Sequence, residues 1–155
     1  KGRGNKIKCN FNGKKFIIIN DSYNSNPASL ESSLAAFSKE KPKGKKIIIL
    51  GDMLELGVDS LKIHLNFKNN IISSGAKVLI TKGRYMKELN KLLPSNIEKY
   101  HIEKFDNLIA TVCKNISNND LLLVKGSNSI GLGQLVNKLK RQVKLIWFII
   151  SYYPL

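Results

Sequence analysis

The sequence predicts an α/β domain in which helices cover both faces of a mostly parallel β-sheet, preceded by an N-terminal β-hairpin. Short apolar runs such as Ile47–Leu50 and Leu121–Val124 are typical of strands buried on both faces. Helical periodicity follows most of these runs, and the alternation of strand and helix is the pattern of βαβ units. The 155-residue chain is long enough to bury one core. These observations together indicate a Rossmann-like fold.

The first predicted elements form the hairpin. Asn12-Gly13 is a strong signal for a tight turn between two strands. It joins the predicted strands Lys6–Phe11 and Lys15–Asn20. Within the second strand, the apolar run Phe16–Ile19 is expected to be buried on both faces, as in a parallel sheet.

The first helix is predicted to begin at Pro27 with Asn26 as its N-cap, because proline suits the first helical position. Its buried side would carry Leu30, Leu34, Ala35 and Phe37. The remaining predicted strands are Lys46–Leu50, Val78–Thr81, Tyr100–Ile102 and Leu121–Val124. The remaining predicted helices are Ser60–Ser73, Tyr85–Leu93 before Pro94, Asp106–Ile116 with Asp106 as N-cap, and Leu132–Val143.

We assign residues 1–143 to this domain and residues 144–155 to an apolar C-terminal tail of unknown role. The segment Leu145–Leu155 is too short for a membrane-spanning helix, which needs about 20 residues. The first residues, Lys1–Asn5, precede no apolar stretch and do not resemble a signal peptide. We therefore expect no transmembrane segment.

Composition argues against several functions. The formal net charge is +15, but it comes from 23 lysines and only 3 arginines, which are scattered along the chain. Because arginine is the residue that grips phosphates bidentately, and no aromatic platform accompanies the lysines, we expect no nucleic-acid partner. Cys9 and Cys113 are isolated, so we interpret them as reduced core residues of a cytoplasmic protein. No metal site is predicted.

Three polar, glycine-containing loops each follow a predicted buried strand: Asn20–Pro27, Gly51–Gly57 and Lys125–Gly133. In open α/β sheets, ligands bind at the carboxyl ends of the strands, in the loops that lead into helices. The shared position of these loops therefore predicts a binding site. The chain contains no G-x-x-x-x-G-K-[ST] phosphate loop, which argues against a stand-alone ATPase.

Each loop allows a functional and a structural interpretation. Asp21, Asn24 and Asn26 suit the hydroxyls and base of a nucleotide, and they equally suit turn and cap positions. Lys125, Ser127 and Ser129 suit a carboxylate or phosphate group. The second loop, Gly51–Gly57, contributes Asp52 and Glu55, which could bind a metal or an amine or could cap a turn, and it precedes His64. A lone helical histidine such as His64 is more often a packed residue than a catalyst.

The three motifs together, DSYNSNP at Asp21–Pro27, GDMLELG at Gly51–Gly57 and KGSNSIG at Lys125–Gly131, resemble the C-terminal domain of the Mur ligases. Gly2-Arg3-Gly4 is similar to the end of the linker that precedes this domain, and the resemblance covers about residues 1–142. It implies a cytoplasmic, three-domain, ATP-dependent ligase of peptidoglycan synthesis that forms an amide bond through an acyl phosphate. The central domain would hold most of the ATP and Mg²⁺ and another domain the UDP-sugar, so this chain alone is expected to be inactive.

The resemblance also implies roles for individual residues. Arg3 would face the nucleotide phosphates and Asp21 would orient the nucleotide or the linker, which makes these two the predicted catalytic residues. The predicted cofactor-binding residues are Tyr23, Asn24 and Asn26. The predicted substrate-binding residues are Lys125, Ser127 and Ser129. For Asp52, Glu55 and His64 the resemblance implies motif membership without a defined role.

Within the family, the form Tyr23-Asn24-x-Asn26-Pro27 favours the members that join D-Ala-D-Ala to UDP-MurNAc-tripeptide. Two positions depart from the family pattern: Asn20, where a second aspartate is frequent, and Asn128, where an arginine is frequent. The alternatives are a sibling Mur ligase, a folylpolyglutamate synthase domain, or a free-standing module that binds a nucleotide or RNA.

Overall fold

The computed structural model describes residues 2–140, which form an α/β fold around one six-stranded sheet. The strand order is β1-β2-β6-β3-β4-β5. The strands are β1 (Asn5–Phe11), β2 (Lys14–Asp21), β3 (Lys46–Gly51), β4 (Val78–Lys82), β5 (Glu98–His101) and β6 (Leu121–Lys125). β1 pairs antiparallel with β2 and all other pairs are parallel, so the predicted fold class is confirmed. The predicted tail at residues 144–155 lies outside the described residues.

Helices pack against both faces of this sheet. They are α1 (Pro27–Lys39), α2 (Ser60–Leu65), α3 (Lys68–Ser73), α4 (Arg84–Lys91), α5 (Phe105–Asn115) and α6 (residues 132–140). One apolar core contains the buried residues of α5 and α6, including Val112 and Leu139. The other contains those of α1, α3 and α4, including Leu34, Ile71 and Leu89. The two cores confirm the prediction that helices cover both faces.

The hairpin forms where Asn12-Gly13 predicts it. Asn12 and Gly13 have φ angles of 48° and 78°, the left-handed pair that a type I′ turn requires. The expectation that Phe16–Ile19 is buried on both faces is wrong for one face. Ile17 and Ile19 are only half-buried, because they line clefts beside α1 that no helix covers among residues 2–140.

Every residue of β3 and β6 is buried, as expected of central parallel strands, and this includes a lysine in each. The Lys46 ammonium, at the amino end of β3, donates to the carbonyl oxygens of Phe37 (2.7 Å), Ser38 (3.0 Å) and Ser74 (3.0 Å). It thereby satisfies carbonyl groups at the C-terminal ends of α1 and α3, where a positive charge is favoured. Burial lowers the pKa of Lys46, and the like charge of Lys41 acts in the same direction.

Three local predictions are wrong. The expected helix Ser60–Ser73 is divided into α2 and α3, because the N–H of Phe67 bonds to the His64 carbonyl three residues back and interrupts the α-helical pattern. Asp106 is not an N-cap: it lies in the first turn of α5, whose N-cap is Lys104. Ala35 is exposed, because helical rotation turns it away from the buried stripe of α1.

No helix within residues 2–140 is long and apolar enough to cross a membrane. Cys9 is buried and Cys113 is half-buried, and both are free thiols. Burial raises the pKa of each thiol, as expected for small core residues.

Candidate functional site

The three polar loops lie side by side at the carboxyl edge of the sheet. They follow β2, β6 and β3, which are neighbours in the strand order β2-β6-β3. The loops also contact one another directly, since the Lys125 ammonium donates to the Asn24 carbonyl at 3.0 Å and the Ser127 N–H donates to the Asp52 carbonyl at 3.1 Å. The prediction that these loops share one position is confirmed.

Asp21 and Lys125, which end β2 and β6, form an ion pair. They are register partners on adjacent parallel strands, and Lys125 Nζ lies 2.8 Å from Asp21 Oδ2. The Ser33 hydroxyl of α1 donates to the same carboxylate oxygen at 2.5 Å. The Lys125 side chain is 1% exposed and the Asp21 side chain 18%. The lysine is therefore enclosed, while part of the carboxylate faces solvent.

The segment Gly2–Gly4 runs along the first loop. The Tyr23 N–H donates to the Gly2 carbonyl at 3.0 Å, and the Gly4 N–H donates to the Asn20 carbonyl at 2.8 Å. The Arg3 guanidinium lies 4.8 Å from the centroid of the Tyr23 ring, a cation–π contact. Arg3 is exposed and Tyr23 is 52% exposed, so a cation and an aromatic face are both presented to solvent beside Asp21.

Asn24 and Asn26 make the turn and cap hydrogen bonds that were the structural interpretation of these residues. Asn26 Oδ1 accepts from the Ser29 N–H at 2.8 Å, and Ser29 Oγ accepts from the Asn26 N–H at 3.0 Å, which completes a capping box on α1. Asn24 Oδ1 accepts from the Ser25 N–H at 2.8 Å. Both asparagines remain exposed, so a nucleotide-binding role for them stays a prediction.

Sequence reasoning missed two supporting contacts. The buried Asn20, one of the departures from the family pattern, accepts from the Ser22 hydroxyl at 2.6 Å and so fixes the start of the first loop. The second contact comes from Ser33 of α1, which donates to the Asp21 carboxylate and is not among the predicted site residues. A small polar residue between the buried positions Leu30 and Leu34 was the available signal for it.

Asp52 belongs to the internal structure of the second loop. It is 4% exposed, and its carboxylate accepts from the N–H groups of Tyr85 (3.1 Å) and Met86 (2.7 Å) in the first turn of α4. Negative charge is favoured at a helix N-terminus. At Gly83, the N-cap of α4, an added Cβ would lie 2.5 Å from the Asp52 carboxyl carbon, which explains the glycine there. Asp52 therefore has a capping role, which was one interpretation of the sequence. It caps the N-terminus of α4 and not a turn of its own loop.

His64 is fully buried, with both ring nitrogens engaged. Its Nε2 accepts from the Met53 N–H at 2.9 Å, and its Nδ1 lies 2.6 Å from the Ser60 carbonyl, which can only accept. These contacts define a neutral ring protonated at Nδ1. Burial lowers the pKa of His64, against smaller opposite effects of the Ser60 carbonyl and Asp52. The ring also stacks on Tyr85 at 5.0 Å, so His64 serves to hold the loop.

The second and third loops are joined into one unit. Ser127 is 7% exposed and its Oγ accepts from the Leu54 N–H at 2.9 Å. A Cβ added at Gly126 would lie 2.9 Å from the Gly51 Cα atom, so the two backbones touch. Two predicted residues lie at the surface of this unit. Ser129 is exposed in the 3₁₀ turn Asn128–Ile130, and Glu55 is exposed with a φ of 62°.

The fold and these loops define a class of protein: a Rossmann-like α/β domain with three polar loops where three adjacent strands end, the position at which sheets of this kind bind ligands. Its sequence identifies the family within that class. The family model of the Mur ligase glutamate ligase domain matches residues 2–128, and the chain belongs to this family. The resemblance carried by the three loop motifs is thereby confirmed.

Relatives agree with this assignment. The chain is 32% identical over 137 residues to the UDP-N-acetylmuramoyl-tripeptide--D-alanyl-D-alanine ligase of Rickettsia prowazekii, and the match covers 88% of this chain and 29% of the relative. It is 32% identical over 126 residues to the enzyme of that name from Bacillus subtilis, covering 79% and 27%. The chain thus spans less than a third of the length of the curated relatives it matches.

Solved structures share the fold. The MurF ligase of Thermotoga maritima, crystallised in complex with ADP, gives a TM-score of 0.71 at 18% identity and covers 92% of this chain and 31% of its own. A MurF structure from Acinetobacter baumannii gives a TM-score of 0.71 at 22% identity and covers 91% and 31%. At these identities the likeness supports the α/β architecture.

Proposed function

We propose that this chain is the C-terminal domain of an ATP-dependent ligase that joins D-Ala-D-Ala to UDP-MurNAc-tripeptide during peptidoglycan precursor synthesis in the cytoplasm. The observation that carries the proposal is the grouping of the three family motifs at one sheet edge, around the Asp21–Lys125 pair. The names of the curated relatives support the choice of substrates.

The surface beside Asp21 fits a nucleotide. Arg3 offers an exposed guanidinium for phosphate oxygens, and Tyr23 offers an exposed ring against which a base can lie. The exposed amides of Asn24 and Asn26 suit a base edge or a ribose hydroxyl. When bound, ATP supplies the phosphoryl group that activates the substrate carboxylate. Arg3 would then stabilise negative charge that develops on the phosphate.

Asp21 acts as a positioning residue in this proposal. Its exposed oxygen can accept from a ribose hydroxyl or from Arg3, while Lys125 and Ser33 fix the orientation of the other oxygen. Lys125 is enclosed, so we propose that it acts through Asp21 and the Asn24 carbonyl. Ser127 would hold the third loop in place, and the exposed Ser129 would face the peptide substrates.

The N-terminal and central domains of a complete ligase are the proposed partners of this domain, and the central domain would hold most of the ATP and the Mg²⁺. Within residues 2–140, no group of three or more His, Cys, Asp or Glu side chains is arranged to hold a metal ion. In the assembled enzyme, closure of this domain over the others would exclude water from the activated carboxylate.

A hybrid enzyme tests the proposal. Residues 1–143 replace the corresponding domain of the Bacillus subtilis relative, and phosphate release is measured with each candidate amine substrate. We expect release that depends on D-Ala-D-Ala, and an Asp21→Asn variant with kcat lowered tenfold or more, equivalent to about 1.4 kcal/mol of barrier. Glu31→Gln, at an exposed acid of α1, is the matched control. A folded hybrid that accepts only another amino acid would instead indicate a sibling ligase.

The chain alone provides a second test. Few polar contacts to ATP must offset an association cost of about 4 kcal/mol or more, so we expect weak binding and no phosphate release. Isothermal titration calorimetry with ATP measures the affinity directly. A low-micromolar dissociation constant would favour the free-standing nucleotide-binding module over the ligase domain.

A further inference from the structure

Two neighbouring clefts lie on the half-covered face of the hairpin. The smaller, of about 360 Å³, reaches Arg3 and Asp21. The larger, of about 630 Å³, extends to the amino ends of β2 and β6, at the edge of the sheet opposite the candidate site. Both are lined by Lys6 and Glu40, whose ion pair at 2.7 Å lies between them. We call the larger cleft the lysine groove.

The rim of the lysine groove is positively charged. Four exposed lysines line it without an ion pair to any of residues 2–140: Lys8, Lys15, Lys41 and Lys43. The pKa of Lys46, lowered first by its burial, is lowered further by Lys41. The Glu40 carboxylate acts on Lys46 in the opposite direction.

The two acids that line the groove are already paired. Glu40 binds Lys6, and Asp120 binds Lys45 at 3.0 Å while it also accepts backbone N–H groups. Neither acid therefore neutralises the rim. The Glu40–Lys6 contact also shows that a carboxylate fits against the lysines of this sheet face.

The floor of the groove is apolar. Its accessible part is formed by the half-buried Ile17 and Pro42, and Leu121 is buried beneath. The aromatic residue that lines the groove, Phe16, is 3% exposed, so nucleic-acid bases find no ring on which to stack. The groove lining contains lysines and no arginine. An aliphatic floor under a lysine rim favours an acidic peptide over a nucleic acid.

The spacing of charges also suits a peptide. Lys6 and Lys8 are two residues apart on β1 and point to the same face, about 7 Å from each other. An extended peptide repeats its side-chain direction over the same distance. Since Glu40 already occupies Lys6, an acidic side chain of the peptide would pair with Lys8, two residues further along the strand.

We propose that the lysine groove binds an extended acidic peptide segment of a partner protein, with aliphatic side chains placed between its acids. The site is separate from the loops at the carboxyl edge. It therefore does not depend on the proposed ligase function, and it is testable on this chain alone.

The probe is a fluorescein-labelled glutamate-rich peptide with two leucines, and its binding is measured by anisotropy at low and at physiological salt. The groove variant carries Lys8→Gln, Lys15→Gln and Lys41→Gln. The matched control carries Lys62→Gln, Lys68→Gln and Lys87→Gln, three exposed lysines on other elements with the same total charge change. Thermal melts establish that both variants are folded.

We expect the groove variant to bind about tenfold more weakly, since three partly screened charge contacts are removed, and the control to change less than about twofold. A peptide with glycines in place of the leucines should also bind more weakly. Equal losses in both variants would show diffuse attraction to a cationic protein and overturn the proposal, as would the absence of peptide binding. A single-stranded oligonucleotide of equal charge that binds more tightly through the same lysines would overturn it in favour of a nucleic-acid site.

Discussion

Two aspartates that follow buried strands, Asp21 and Asp52, have opposite surroundings. Asp21 pairs with a lysine and a serine but keeps part of its carboxylate exposed, next to Arg3 and Tyr23. Asp52 is buried, and both of its oxygens accept from the first turn of α4. One carboxylate has capacity left for a ligand, whereas the other is used inside the fold.

The same contrast extends to the residues around each aspartate. Around Asp21, a cation and an aromatic ring are exposed. Around Asp52, His64 and Ser127 are buried and hydrogen-bonded to the backbone of the second loop. A polar motif in a loop therefore indicates a ligand site only where its hydrogen-bonding capacity is not satisfied within the protein. By this criterion the first loop is the stronger candidate.

The largest expected effect concerns the Asp21–Lys125 pair. From the sequence, Asp21 would contribute a helix cap at most, worth about 1 kcal/mol. The structure favours a larger effect, because Asp21→Ala leaves the enclosed Lys125 ammonium without its charge partner. We expect a loss of about 2–3 kcal/mol in the free energy of unfolding, measured by urea titration. The double variant with Lys125→Met should recover most of it. A single-variant loss well below 1 kcal/mol would contradict the role of the pair.

The second prediction tests whether the buried Asp52 stabilises the fold more than the exposed Glu55 of the same loop. Asp52→Asn removes the charge and one of the two acceptors at the N-terminus of α4. We expect the free energy of unfolding to fall by about 2 kcal/mol. Glu55→Gln, at the exposed acid of the same loop, should change it by less than about 0.5 kcal/mol. Equal effects of the two changes would mean that Asp52 does not anchor the loop.

The third prediction concerns pH. Because burial lowers the pKa of folded His64, the unfolded chain takes up the proton first. The stability that this histidine contributes is complete above its unfolded pKa of about 6.5 and is lost as the pH falls toward the folded pKa, by at most about 1.4 kcal/mol per pH unit. Urea titrations at several pH values should show this loss in the parent chain and in His101→Gln. It should be absent from His64→Gln, and a slope that persists there must come from other groups.

The smallest effect on stability is expected at the exposed side of the first loop. Arg3→Ala and Tyr23→Ala each remove an exposed cation–π contact, worth about 0.5–1 kcal/mol. Thermal melts should therefore change little. In the hybrid ligase, however, Arg3→Ala should raise the KM for ATP or lower kcat. Unchanged kinetics in a folded hybrid would mean that the Arg3–Tyr23 surface does not meet the nucleotide.

Local chemistry explains which parts of the fold could be predicted from sequence. Asn12-Gly13 sets the hairpin turn through backbone preferences, and Asn26-Pro27 sets the start of α1 through the fixed φ of proline and a capping box with Ser29, three residues away. The Asp21–Lys125 and Asp52–α4 contacts depend on which strands and helices become neighbours. Residues 21 and 125 are distant in the chain, and no local pattern states that β2 lies beside β6. The motifs therefore identified loops that meet at one edge of the sheet, without showing which of their residues are anchored inside the fold.

The contact between Gly51 and Gly126 limits how the second and third loops can evolve. A methyl group at position 126 would meet the Gly51 backbone, and one at position 51 would lie 2.7 Å from Ile130 Cγ2. A larger side chain at either position therefore needs a compensating movement of the other loop. Single substitutions should therefore be better tolerated at the exposed positions Asn128 and Ser129, whereas a change at either glycine requires the other loop to adjust.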